Sequence, residues 1–199
     1  MNENLPPWRP LLRGARQREG RSPQARWLQL ATLGRDGAPR VRTLVFRGWG
    51  GPALLDLLTD RRSSKSSELQ QEPRVELCWL LPKARSQFRL RGHRLALPPE
   101  LDLEARQQHW QQLNPGARAL WGWPEPGAPL DREAAFPSEL ADGTALPSSF
   151  ELVRIEVQAV ELGIAARLSA TLAAAQATRA PDYLASLAGT LGVDPALLP

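Results

Sequence analysis

The sequence predicts a mainly β fold of the α+β type, a mostly antiparallel barrel with a few peripheral helices. Three observations support this prediction. Several short segments alternate apolar and polar residues, which is typical of strands with one buried face. Turn signals separate these segments, and the pair Asp36-Gly37 is a strong hairpin signal. Two helical segments interrupt the series of strands, as happens in mixed antiparallel folds.

The composition is that of a globular protein. The chain has 199 residues, of which 42% are hydrophobic and 23% are charged, and its net charge is +4. No apolar run reaches the length of about 18 residues that spans a bilayer. The single cysteine, Cys78, cannot form an internal disulfide, so we expect a cytoplasmic protein. The only histidines are His93 and His109, which are too few to suggest a metal site.

The first strand follows an N-terminal arm. Residues 6–20 are expected to form a helix or an arm, with Trp8, Leu11 and Leu12 on one apolar face. Residues 27–33 alternate apolar and polar residues in their first half. This alternation predicts a half-buried strand.

A hairpin and a second turn come next. Residues 34–37 are expected to form the turn, and residues 39–46 the return strand, because apolar and basic or polar residues alternate there. The glycine-rich residues 48–52 are expected to form another turn. Residues 53–58 are then predicted to be the third strand.

A helix separates the third strand from the fourth. Residues 61–71 are predicted to be helical, and the hydroxyls of Ser63 and Ser64 suit the free amide groups at a helix start. Residues 73–80 and 87–97 are predicted to be the fourth and fifth strands.

The second half contains one further helix and one long strand. Residues 101–113 are predicted to be helical. Residues 114–147 are rich in Pro, Gly and Trp, which indicates loops with a short helix near residues 117–120. Residues 150–162 form the clearest strand, and a slip in its apolar face suggests a bulge.

The composition changes after this strand. Residues 163–199 are rich in alanine and carry no strand pattern, so we expect a tail that is helical or partly disordered. We therefore divide the chain into a barrel domain, residues 1–162, and this tail.

Two segments could together bind a phosphate group. The first is a strand with a basic residue at each end, Arg42 and Arg47. The second is a strand end that runs into a helix start and carries several donors: Thr59, Ser63, Ser64 and Lys65. Arginine, lysine, hydroxyls and free helix amides all bind phosphate. An ordinary serine-capped helix start with basic neighbours is the alternative interpretation.

Three motifs, in order, resemble a known family. They are Arg-x-x-x-x-Arg from Arg42 to Arg47, Leu-Thr-Asp-x-x-Ser-x-Lys from Leu58 to Lys65, and Arg-x-Gln-x-Arg around Gln87. This pattern resembles the pyridoxamine 5′-phosphate oxidase-like split β-barrels that bind flavin mononucleotide (FMN), most of all their cyanobacterial and plant branch. The resemblance extends over residues 6–162, with the tryptophan- and proline-rich residues 121–129 included.

The resemblance implies an FMN cofactor and a set of contacts for it. Arg42 and Lys65 would contact the phosphate, and the backbone of Thr43, Leu44, Val45 and Phe46 would lie beside the isoalloxazine ring. Arg47 would lie near the flavin or the substrate, and Leu58 and Thr59 would line the ribityl and phosphate region. Ser64 stands where the oxidases have arginine. Gln87 would reach the flavin of a partner subunit, since the family places its flavin between the two chains of a homodimer.

The chain also departs from the family. The oxidases end in a strand with tryptophan, arginine and histidine that grips substrate and flavin, and no histidine or tryptophan follows Leu162 here. An FMN-dependent oxidoreductase without that substrate element is therefore our first hypothesis. A flavin-binding protein without turnover is the second, and a basic nucleic-acid-binding barrel the third. Aromatic residues clustered in the loops, away from arginine-bearing strands, make nucleic acid the least favoured partner.

Overall fold

The computed structural model describes residues 5–129 and 131–164. Within them are six strands and four peripheral helices. The strands are β1 Trp27–Leu33, β2 Pro39–Gly51, β3 Leu54–Asp60, β4 Arg74–Leu81, β5 Ser86–Arg94 and β6 Phe150–Ile164. The helices are α1 Trp8–Glu19, α2 Ser64–Gln71, α3 Pro99–Gln112 and α4 Pro115–Arg118, with short 3₁₀ turns at Pro23–Ala25 and Ala119–Gly122. No helix of these residues is long and apolar enough to cross a membrane.

The six strands form one closed barrel in the order β1-β2-β3-β6-β5-β4, and β4 pairs with β1 to complete it. All of these pairings are antiparallel. Closure pairs the backbone N–H and C=O groups that the two edge strands of an open sheet would leave unpaired. The prediction of a mainly antiparallel barrel with a few peripheral helices is confirmed.

The hairpin between β1 and β2 follows from its turn sequence. Gly37 has a φ of 76°, which glycine adopts without strain. The Gly34 amide donates to the carbonyl of Ala38 over 2.8 Å and closes the turn. The register then sets Gln29 opposite Thr43, so successive side chains of both strands alternate between the barrel core and its outer face.

The second strand is longer than expected. The turn predicted at residues 48–52 is wrong, because β2 continues to Gly51 and pairs with β3 through two register shifts. Bulges absorb the extra residues and bend the strand. Gly50 is needed for packing, since a Cβ there would lie 2.3 Å from the guanidinium carbon of Arg154. Gly50 therefore allows the side chain of Arg154 to pack closely against β2.

The last strand joins two sheet regions. β6 pairs with β3 through its first half and with β5 through its second half. The expected bulge is present, because Arg91 pairs with Ala159 while Gly92 pairs with Val157. The strand extends two residues past the predicted end, to Ile164. The rest of the predicted tail, residues 165–199, lies outside the described residues.

Two apolar clusters hold the fold together. The larger fills the barrel and includes Trp79 and Phe88, with Leu11 and Leu12 of α1 packed against it. Burial of such side chains contributes about 1.5–3 kcal/mol each. The smaller cluster joins the start of β6 to α3 and to the loop after it, and its members are Leu58, Trp110, Leu113, Phe150 and Leu152. This second cluster fixes the tryptophan-rich loop against the end of β3.

Candidate functional site

A cleft of about 350 Å³ opens between β2, the end of β3, the start of α2 and the tryptophan-rich loop. We call it the β2–α2 cleft. It contains most of the residues proposed from the sequence: Thr43, Leu44, Val45, Arg47, Leu58, Thr59 and Lys65. The rest of its lining is Asp60, Leu120, Trp121, Trp123, Pro124 and Pro126. The two sequence segments therefore meet in one concave site.

The floor of the cleft is set by the junction between β3 and α2. The Ser63 hydroxyl donates to the carbonyl of Asp60 over 2.6 Å, which turns the chain from strand into helix. The side chain of Lys65 then reaches back, and its Nζ donates to Ser63 Oγ over 2.8 Å. The carboxylate of Asp60 is held by Arg62, at 2.6 Å. Lys65 therefore keeps its ammonium group over the helix start.

The positive charge on Lys65 is disfavoured by burial. Burial, and after it the positive charge of Arg42, lower the pKa of the Lys65 ammonium group, although Asp60 and two glutamates oppose this effect. A cation whose charge is disfavoured in this way gains when an anion binds beside it. The arrangement therefore favours an anionic ligand at this end of the cleft.

Two buried hydroxyls lie unpaired near the same place. Thr59 Oγ1 and Ser66 Oγ have no hydrogen-bond partner among the described residues, although both are shielded from solvent. An unsatisfied buried polar atom costs about 1–3 kcal/mol, so such atoms are expected to bond to water or to a bound ligand. Thr59 also lines the β2–α2 cleft directly. The hydroxyl of Thr59 and the ammonium of Lys65 together suit a phosphate oxygen.

Four of the proposed residues lie outside this lining. Arg42 pairs with the carboxylate of Glu68 at 2.6 Å and also donates to the hydroxyl of Thr32. Phe46 is buried in the barrel core, with its ring centroid 5.1 Å from that of Trp79. The other two lie elsewhere on the surface: Ser64, which is exposed at the start of α2, and Gln87, which is half-buried on β5. The positive charge of Arg42 still acts on the cleft, because it lowers the pKa of Lys65.

The site residues predicted from the sequence did not include the tryptophans that form one wall of the cleft. Trp121 donates from Nε1 to the carbonyl of Thr59 over 3.2 Å, and its ring packs 4.8 Å from that of Phe150. Trp123 is held by a bond of 2.9 Å from its Nε1 to the carbonyl of Pro137. These bonds fix two flat apolar surfaces opposite β2. The tryptophan- and proline-rich composition of residues 121–129 was the signal that pointed to them.

Arg47 lies between the β2–α2 cleft and a group of titratable side chains. It also lines a neighbouring cavity of about 450 Å³ whose wall includes Asp56, His109 and Arg154. Arg154 holds the buried carboxylate of Asp56 through two bonds, of 2.7 and 2.8 Å, and His109 Nε2 lies 3.0 Å from Asp56 Oδ2. Its polar sequence neighbours suggest that His109 is solvated, but the side chain is instead largely buried against Asp56.

Burial opposes the negative charge on Asp56, yet the hydrogen bonds from Arg154 and His109 outweigh it. They hold the pKa of Asp56 below its usual value. The cluster ties α3 to β3 and β6, because its three members come from these three elements. It lies beside Arg47, and neither Thr59 nor Lys65 lines its cavity.

Comparisons with known proteins identify the family of this barrel. Residues 5–97 match the family described as pyridoxamine 5′-phosphate oxidase, FMN-binding domain. A curated protein of Arabidopsis thaliana, pyridoxine/pyridoxamine 5′-phosphate oxidase 2, is 31% identical over 152 residues, which cover 74% of this chain and 77% of the relative. A pyridoxine/pyridoxamine 5′-phosphate oxidase of Sinorhizobium fredii is 27% identical over 73% of this chain and 67% of its own length.

A solved structure supports the same assignment. It is the pyridoxamine 5′-phosphate oxidase-related, FMN-binding protein of Nostoc punctiforme, with 37% identity and a TM-score of 0.72. The match covers 79% of this chain and 84% of that one. FMN is the cofactor that the family implies. By its barrel, its cleft and these relatives, the chain belongs to the pyridoxamine 5′-phosphate oxidase-like family of FMN-binding split barrels.

Proposed function

We propose that this protein is an FMN-dependent oxidoreductase that holds its flavin in the β2–α2 cleft, as a cytoplasmic homodimer. The observation that carries the proposal is the unpaired, buried hydroxyl of Thr59 in the same cleft as the Lys65 ammonium, whose charge is disfavoured by burial. Both line a cleft whose other wall is aromatic. Such a site suits a ligand with a phosphate at one end and a flat ring system at the other.

At the phosphate end, Lys65 supplies a charged donor and Thr59 a hydroxyl. The amide groups at the start of α2, around Ser64, add dipolar attraction for an anion. Arg42 contributes mainly through its charge, because its guanidinium is already bonded to Glu68 and Thr32. Each charge-assisted hydrogen bond contributes about 1.5–3 kcal/mol. Few such donors predict a cofactor that dissociates more readily than in relatives with an arginine at position 64.

At the ring end, β2 presents its backbone between Thr43 and Val45 to the cleft, and Trp121 and Trp123 face it from the loop. Bound FMN supplies the hydride chemistry, while the protein binds and orients it. Arg47 lies between this end and the cavity beside His109, so it is positioned to hold an anionic group of a substrate. We propose Arg47 as the substrate-facing cation of the site.

A homodimer would complete the site. The outer face formed by β1, β2 and β4 exposes apolar side chains, including Trp27, Val41 and Leu80. Gln87 lies on β5, outside the cleft of its own chain. We propose that this face contacts a second copy and that the partner's Gln87 reaches the flavin. A flavin carrier without turnover would use the same cleft.

The nucleic-acid alternative is weaker, because base stacking needs exposed aromatic platforms beside cations. Trp110, Trp121 and Phe150 instead pack against one another, with ring centroids 4.8–5.9 Å apart. Trp110 and Phe150 are buried. This packing makes Trp110 and Phe150 unavailable to a base.

Titration of flavin fluorescence tests the proposal. Wild-type protein should quench added FMN saturably, and Lys65→Met should raise the Kd about tenfold or more because one charged phosphate donor is lost. Lys83→Met is a matched control: Lys83 lies in the turn after β4, where its Nζ donates to the carbonyl of Glu19. Absence of FMN binding by the wild type would overturn the proposed function. An equal rise of the FMN Kd in both variants would show that the phosphate does not bind at Lys65.

A further inference from the structure

The segment formed by α1 and the 3₁₀ turn after it is strongly basic. Between residues 5 and 26 the chain has six arginines and one carboxylate, Glu19. Glu19 is 1% exposed, and its Oε1 accepts the amides of Lys83 and Ala84 at 2.6 and 3.1 Å. This carboxylate is therefore held by the backbone of the turn between β4 and β5.

Two neighbouring clefts are lined by these arginines. An inner cleft of about 210 Å³ is lined by Arg16, Arg26 and Arg47. An outer cleft of about 630 Å³ is lined by Arg13, Arg16, Arg21 and Arg26. The two share Arg16 and Arg26, and the inner cleft shares Arg47 and Leu58 with the β2–α2 cleft. A row of cations thus leads from the proposed flavin site to the surface.

No acidic side chain neutralises this row within the described part of the chain. Neither cleft is lined by Asp or Glu. Arg13, Arg21, Arg26 and Arg47 form no ion pair within residues 5–129 and 131–164, although ten other arginines there do. Burial, followed by the charge of Arg26, lowers the pKa of both Arg16 and Arg47. Like charges held together in a concave site attract anions strongly.

One of these arginines is held in place for binding. Arg16 donates from Nε to the carbonyl of Ala25 over 2.8 Å. Its guanidinium carbon lies 4.3 Å from the ring centroid of Phe46 and 5.0 Å from that of Trp79. The stacking fixes the plane of the group, and its two terminal nitrogens have no hydrogen-bond partner among the described residues. A planar fork with free donors matches the oxygens of a phosphate group.

We propose that the two clefts bind the diphosphate group of a second ligand beside the flavin. The inner phosphate lies between Arg16, Arg26 and Arg47, and the outer phosphate lies near Arg13 and Arg21. Five guanidinium groups exceed what one phosphate needs, whereas a diphosphate spans both clefts and can bond to several of them. The position of this ligand relative to the flavin rests on the proposed function.

The experiment uses the FMN-loaded protein and isothermal titration calorimetry at low ionic strength, with inorganic phosphate, inorganic pyrophosphate and ADP as probes. Pyrophosphate should bind saturably and more tightly than phosphate. Arg21→Ala and Arg26→Ala should each raise the pyrophosphate Kd about tenfold, because each removes a charged donor. ADP that binds more tightly than pyrophosphate assigns the site to a nucleotide, and equal affinities assign it to the phosphate groups alone; both results support the proposal.

Arg35→Ala is the matched control, because Arg35 is an exposed arginine in the turn between β1 and β2 and its loss changes the net charge equally. It should leave the pyrophosphate Kd unchanged. FMN affinity, measured on the same proteins, should not change in Arg21→Ala. Normal FMN binding without saturable pyrophosphate binding overturns this proposal alone, while absence of FMN binding overturns the proposed function as well. The proposal is also overturned if Arg21→Ala, Arg26→Ala and Arg35→Ala change the pyrophosphate Kd equally. The same holds if Arg26→Ala reduces the mass from dimer to monomer and leaves the pyrophosphate Kd unchanged.

Discussion

At the scale of single residues, the site depends on groups that the protein leaves unsatisfied. Thr59 Oγ1 is buried without a partner, and the ammonium of Lys65 is disfavoured by burial and by Arg42. Sequence motifs indicated both residues because threonine, serine and lysine follow one another at a strand–helix junction. The ion pair between Arg42 and Glu68 could not be predicted, since it depends on how α2 packs against β1 and β2.

Replacing Thr59 by valine should change stability and cofactor affinity in opposite directions. Valine has nearly the same shape and removes a buried hydroxyl that lacks a partner, so the cofactor-free protein should be as stable as wild type or gain about 1 kcal/mol. FMN affinity should fall about tenfold, because a phosphate contact is lost. Urea unfolding and flavin fluorescence measure the two effects. Reduced stability of the cofactor-free variant would show that the hydroxyl has a structural partner.

At the scale of elements, local pattern predicted most strands but not their ends. β1 begins and ends where the alternation of apolar residues predicts, and Asp36-Gly37 forms the expected turn. β2 was predicted too short because its glycines resemble a turn, whereas Gly50 makes room for Arg154 from β6. Likewise, the polar neighbours of His109 along α3 gave no indication that the ring would face Asp56 on β3. Contacts between distant elements decide both features.

The cluster around Asp56 should stabilise the attachment of α3 to the barrel. Asp56→Asn leaves Arg154 buried without its charge partner, which typically costs about 3 kcal/mol of unfolding free energy at pH 7. Because the pKa of Asp56 is lowered in the folded state, its contribution is present above the unfolded pKa of about 3.9 and is lost as the pH falls through the folded value. The difference between wild type and variant should therefore shrink in acid.

Urea unfolding at pH 7 and at acidic pH measures this difference. The control is Asp131→Asn, which removes an exposed carboxylate and should change the unfolding free energy by less than about 0.5 kcal/mol. A difference for Asp56→Asn that stays constant down to the lowest pH would contradict the assignment of the charge to this cluster.

At the scale of the whole molecule, one barrel face remains open in the single chain. Val41 is 67% exposed and Trp27 is 49% exposed, although both belong to strands of the barrel. The pairing of Ala31 with Val41 places β1 and β2 side by side on this face. Alternation alone predicted a strand here, but it could not tell which of the two faces is buried. Apolar patches of this kind commonly belong to interfaces.

We expect this face to form the homodimer, and we expect dimer formation to support flavin binding. Val41→Glu should shift the mass toward the monomer, because a charge would be buried in the interface, and should weaken FMN binding, because the partner's Gln87 would be lost. Leu103→Glu, on the exposed surface of α3, is the control and should leave the mass unchanged. Light scattering gives the mass, and a monomeric wild type at micromolar concentration would refute the proposed assembly.

We propose that Lys65 holds the phosphate of FMN in the β2–α2 cleft. The most direct measurement compares FMN with riboflavin, which lacks the phosphate, on wild type and on Lys65→Met by fluorescence titration. The wild type should prefer FMN by about tenfold or more, and the variant should lose most of that preference while it binds riboflavin as the wild type does. An FMN preference of equal size in both proteins would contradict the claim and place the phosphate elsewhere.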